Sequence, residues 1–189
     1  MFALVESGSI TQMPKGNKGI QIGDVKYPVA IYTLWSEAER NAIGIYTIEI
    51  DNTNKKDEKW YSNTNITYAF SGGKVKGTYG TATAKEIADK TVDGVVEKGL
   101  KTIKKELIDN QCAGLLAPSD WMVVKATETG GTMDSGWKTW RASVRTKCNS
   151  MQTQIDNASD VDALAALFTY TEQSDKSVTR PLGEFPVKA

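Results

Sequence analysis

The chain has 189 residues, enough for one ordinary domain or two small ones with a core that needs no disulfide staples. Twenty-three basic residues balance 23 acidic ones, so there is no whole-molecule field to draw in nucleic acid or an anionic membrane. There is no His, which removes the commonest general base and metal ligand and every Ser-His or Cys-His nucleophile. Cys112 and Cys148 are too few and wrongly spaced for a zinc site. Composition thus argues against most enzyme classes, and no cofactor or metal is expected.

The start, Met1 to Glu6, lacks the basic and apolar regions of a signal peptide. No window approaches the roughly 18 apolar residues that span a bilayer. A cytosolic site of synthesis is expected, with both cysteines reduced and serving as packing residues.

Along the chain, Phe2–Val5 and Ser9–Met13 read as strands joined by a turn at Glu6-Ser7-Gly8. Gln21–Gly23 and Val25–Tyr27 follow, and Ala30–Leu34 reads as another short strand. Ser36-Glu37-Ala38-Glu39 is a capping box for a short helix that Gly44 stops. The β-branched run Ile45–Ile50 predicts a strand, as do Trp60–Ser62, Ile66–Phe70 and Lys74–Tyr79. Gly72-Gly73 gives the turn between the last two. The expectation is a small antiparallel meander with one helix over 1–82.

Gly80 to Ala84 reads as a hinge, after which the period changes. Ala88, Val92, Val96, Leu100, Ile103 and Leu107 predict one long helix starting at Lys85. Gly114 to Pro118 turns the chain, and Ser119 is expected to cap a short helix. Asp134 or Ser135 caps the next, with Trp137, Trp140, Val144, Cys148, Met151, Ile155 and Ala158 in the rhythm of a helix packed along another. Ser159-Asp160-Val161-Asp162 caps a last short helix through Phe168. The overall expectation is an α+β protein: β-rich 1–82, a helical hairpin in 85–168 and an extended arm over 169–189.

No chemistry-bearing motif stands out. Asp160 and Asp162 are the nearest carboxylate pair but lie at a helix start, where they favour the dipole. The loop Asp51 to Glu58 lacks the spacing of a calcium loop, and Gly72 to Gly77 lacks that of a phosphate cradle. Trp121, Trp137 and Trp140 lie within 20 residues, accompanied by Lys125, Glu128, Arg141 and Arg145. Such aromatic–basic clusters anchor protein interfaces, and they also form helical cores.

These same residues carry a resemblance. Leu115-Leu116-Ala117-Pro118-Ser119-Asp120-Trp121 through Glu128 to Gly130, followed by Trp140-Arg141 and Arg145, resembles the C-terminal motif of tailed-bacteriophage tail-fibre assembly proteins. In general form that motif is L-x-P-T-D-W-x-x-x-R-x-x-E-x-G … Y-R-x-x-x-R. Lys125 stands where Arg is usual, Trp140 where Tyr is, and Thr132-Met133 where Val-Pro is. Phe2 to Val5, Ile20 to Val25, Trp35 to Glu39 and Asn157 to Leu164 are similar to proteins of marine and cyanobacterial phages. The resemblance implies a non-enzymatic phage tail protein, assembled in the host cytoplasm and destined for the virion tail. It would bind a tail-fibre or baseplate protein, through contacts at Trp121, Lys125, Glu128, Trp137, Trp140, Arg141 and Arg145. Alternatives are a permanent fibre-tip or adaptor component that recognises the host, a homotrimer, and, from another class, a carboxylate-dependent glycan hydrolase.

Overall fold

A computed structural model describes residues 1–188 and divides the chain into two compact units, Met1–Thr83 and Ala84–Ala189. The fold is α+β, with sheet dominating the first unit and helices the second.

In the first unit, β1 (Phe2–Glu6) and β2 (Ser9–Gln12) form a hairpin whose Ser7 and Gly8 both take positive φ, as a type I′ turn requires. A second hairpin, β3 (Ile20–Ile22) and β4 (Val25–Tyr27), leads into two short helices, α1 (Ile31–Leu34) and α2 (Glu37–Ala42). The capping box at α2 is complete. Ser36 Oγ accepts from the Glu39 N–H at 3.3 Å, and the Glu39 carboxylate accepts from the Ser36 N–H at 2.7 Å. Then come β5 (Ile45–Asp51), β6 (Tyr61–Ser62) and the hairpin of β7 (Ile66–Ser71) and β8 (Lys74–Tyr79).

The main sheet runs β2-β1-β5-β8-β7. This is not the order of a meander. β5 and β8 run parallel, while the other three pairings are antiparallel. The sheet curls until its edges, β2 and β7, come into contact. Alternation along β1 then serves two cores. Phe2 and Leu4 join Ile20, Ile31, Tyr32 and Ile45 beneath the small hairpin and α1. Ala3 and Val5 join Ile48 and Val75 on the inner face of the curl. The stretch expected as a strand over Ala30–Leu34 is therefore the helix α1. Burying Ile31 and Tyr32 side by side against the sheet needs a helical turn, not a strand's alternation.

The second unit begins at Ala84, the second residue of the short strand β9 (Thr83–Ala84). The long helix predicted from Lys85 does not form there. Instead β10 (Lys90–Val92) and β11 (Val95–Glu97) make a hairpin. Its Asp93 and Gly94 take φ of 51° and 78° and form the turn. Only then does α3 (Leu100–Leu116) start. A Cβ on Gly99 would lie 2.3 Å from the Ala88 backbone, and this close approach fixes the helix start. The predicted stripe is accordingly broken. Leu100 is buried, but Val96, Ile103 and Leu107 are exposed, and the inward positions of α3 are Leu100, Ile108 and Cys112.

A 3₁₀ turn over Ala117–Ser119 leads to α4 (Asp120–Glu128) and then α5 (Ser135–Asn157). Pro118 lacks an N–H and cannot extend α3. α5 packs on α3, burying Val144, Cys148, Met151 and Ile155 in the predicted rhythm. Asp134 caps α5, and Asp160 caps α6 (Val161–Phe168).

The tail is not an extended arm. β12 (Thr171–Glu172) and β13 (Val178–Thr179) form a small hairpin. Beyond it Leu182 is fully buried, its N–H donating to the Leu167 carbonyl at 3.1 Å. Lys147 Nζ reaches the Leu182 carbonyl at 2.9 Å, and Trp140 Nε1 reaches that of Pro186 at 3.0 Å. One well-placed apolar residue and three hydrogen bonds to its backbone, two of them from side chains of α5, dock a segment with no readable periodicity.

Candidate functional site

The residues singled out in the sequence converge on the α3–α4–α5 corner of the second unit. Arg141 sits at its centre and is only 5% exposed. One guanidinium nitrogen donates to the Leu116 carbonyl at 2.8 Å and to Ser119 Oγ at 2.5 Å. The other donates to Asp120 Oδ1 at 2.6 Å. Ser119 Oγ in turn donates to the Leu116 carbonyl at 2.9 Å. Carbonyls at a helix C-terminus lack intrahelical partners. Arg141 supplies one and pins the start of α4 through Asp120, a geometry that a planar fork fits and an ammonium does not. Arg141 is therefore not an exposed partner contact, because this network uses it up. Ser119, expected as the cap of α4, is spent here too and makes no cap bond.

α4 is the odd element. None of its residues is buried, although it carries Trp121 at 57% exposure, Val124 at 54% and Val123 at 42%. Lys125 Nζ lies 5.9 Å from the centre of the Trp121 ring. Trp121, Lys125 and Trp137 line one cleft, of about 540 Å³, with Met122 and Met133. Trp137 and Trp140 are half-buried and meet edge to face at 5.5 Å. Glu128 is exposed and lines neither this cleft nor the groove beside it.

That second groove lies on the other flank of α4 and has a volume of about 410 Å³. Val123, Ala126, Thr127 and Met133 give it an apolar floor. Lys138, Arg141 and Arg145 line it from α5. Their spacing of three and four puts them on one helix face, a pattern readable in the sequence, where Lys138 nevertheless escaped notice. Arg145 is exposed, as expected of a contact residue.

The other candidates resolve into local structure. Asp160 accepts the Ala163 N–H at 2.8 Å, and this bond, with Ser159, holds its carboxyl below the usual carboxylate range. It is thus ionised at neutral pH and unsuited to act as a general acid. Asp51 closes a turn onto Thr53, with bonds of 2.9 and 2.6 Å. Gly72 and Gly73, both at positive φ, form the β7–β8 hairpin turn. Among the described residues, no three Cys, Asp or Glu side chains cluster as a metal site, and no helix is long and apolar enough to cross a membrane.

Compared with protein-family models, with curated proteins and with solved structures, the chain matches none.

Proposed function

We propose that the chain is a non-enzymatic bacteriophage tail protein that binds a tail-fibre or baseplate protein during fibre assembly or attachment, in the host cytoplasm and then on the virion tail. Two supports are independent of each other. One is the likeness of the Leu115–Gly130 and Trp140–Arg145 segments to the tail-fibre assembly motif. The other, which carries the reading, is that α4 leaves Trp121, Val123 and Val124 exposed on a helix with no fully buried residue. Single exposed apolar residues are ordinary, but a nine-residue helix held out with its aromatic and branched residues uncovered is what a docking element needs. The Arg141 network supports the same reading, since it ties Asp120, the first residue of α4, to the end of α3.

The test is co-purification of the tagged full-length chain from phage-infected cells, with bound proteins identified by mass spectrometry. A tail-fibre or baseplate protein is expected at near-stoichiometric amount, and the double variant W121A/V124D loses it. Recovery of no tail protein, or equal recovery with the variant, contradicts the proposal.

A further inference from the structure

The groove between α4 and α5 has a chemistry distinct from the exposed outer face of α4. Its floor is apolar, and the three charged side chains lining it, Lys138, Arg141 and Arg145, are all cationic. Arg141 is neutralised by Asp120. Lys138 and Arg145 have no side-chain hydrogen bond or ion pair with any described residue. These two exposed cations, two turns or about 10 Å apart on one helix, are largely screened from each other and contribute little to the fold. A ligand with two carboxylates can pair with both, and the groove volume, about 410 Å³, falls in the range that accepts a large side chain.

From this we infer that the α4–α5 groove captures an acidic peptide segment of the partner. An apolar side chain seats on Val123, Ala126 and Met133, and flanking carboxylates pair with Lys138 and Arg145. The inference rests on the reading of the helical unit as a protein-docking module, and it names the chemistry of what is docked. Charge complementarity sets the occupant, because a basic or neutral segment leaves both cations unpaired beside a desolvated floor. Exposed pairs of this kind are screened by salt, so binding weakens as ionic strength rises.

The experiment titrates the isotope-labelled full-length protein with two capped hexapeptides, Ac-EELFEE-NH2 and Ac-KKLFKK-NH2, followed by NMR. Saturable shifts are expected at Gly131, Thr132, Lys138 and Arg145 with the acidic peptide and not with the basic one. The double variant K138E/R145E, which changes only exposed side chains, is expected to weaken acidic-peptide binding about tenfold or more and to bind the basic peptide instead. Equal binding of both peptides, shifts mapping elsewhere, or no saturable shift overturns the inference. So does a concentration-dependent dimer of the wild-type chain that the variant abolishes, since a second copy is then the occupant. If the tail protein still co-purifies with K138E/R145E at the wild-type level, this inference fails and the proposed function stands. If the peptide binds but no tail protein is recovered, the reverse holds.

Discussion

Arg141 ties three elements together, because the Pro118 turn brings the Leu116 carbonyl, Ser119 and Asp120 within reach of its guanidinium. Arg141→Met leaves the Leu116 carbonyl with the Ser119 hydroxyl as its donor and removes the bonds to Ser119 Oγ and Asp120, at an expected cost of roughly 1–3 kcal/mol. Urea unfolding followed by tryptophan fluorescence reads this as a lower midpoint at unchanged slope. Arg141→Lys recovers part of the loss, since an ammonium reaches one acceptor but does not fork. Cys148 makes a second residue-scale case. It faces Cys112, and its thiol contacts Asp109 Oδ1 at 3.6 Å. Burial above all, then Cys112 and Asp109, pushes the thiol up to about 12. A native-state pKa above the unfolded value of about 8.5 gives stability that is complete below pH 8.5 and is lost as pH rises toward 12. Wild type is therefore expected to lose more stability than Cys148→Ala over that window. Thiol reagents at pH 8 should react slowly with the folded protein and at once in urea.

At the scale of elements, hydrophobic periodicity succeeded where one helix packs on one other and failed where local turns intervene. The α5 positions Val144, Cys148, Met151 and Ile155 point inward as their spacing implies. The stripe from Ala88 to Leu107 obeyed the same rule, yet part of it belongs to a hairpin, because Asp93-Gly94 is a stronger local signal than spacing by threes and fours. The Ala88–Gly99 approach makes a sharp test of this start. In Gly99→Ala the methyl meets the Ala88 backbone at 2.3 Å, so one segment must shift, costing about 1–3 kcal/mol of overpacking strain. A lowered thermal midpoint by circular dichroism is the expected outcome. An unchanged midpoint would mean that the hairpin does not press on the start of α3. α4 gives the opposite expectation. Trp121→Ala and Val124→Asp remove no fully buried side chain, so each changes stability by about 1 kcal/mol or less while abolishing partner capture.

For the whole molecule, the α+β class was readable from the change in pattern near residue 82, but the strand order was not. Pairing β5 in parallel with β8 and curling the sheet onto itself are long-range choices that no local period encodes. The same holds for the tail, where Leu182 alone supplies the apolar anchor. Each unit holds its own buried residues, so the fragment 84–189 is expected to show the helical circular-dichroism spectrum and a cooperative melt. A featureless spectrum would show that its core is insufficient.

Cross-linking mass spectrometry of phage-infected cells with an amine-reactive linker tests the central claim most directly, because Lys125 and Lys138 flank the two clefts beside α4. The account predicts that both lysines link to one tail-fibre or baseplate protein. Inter-protein links confined to lysines of the first unit, such as Lys26 and Lys74, or links to no tail protein, would contradict it.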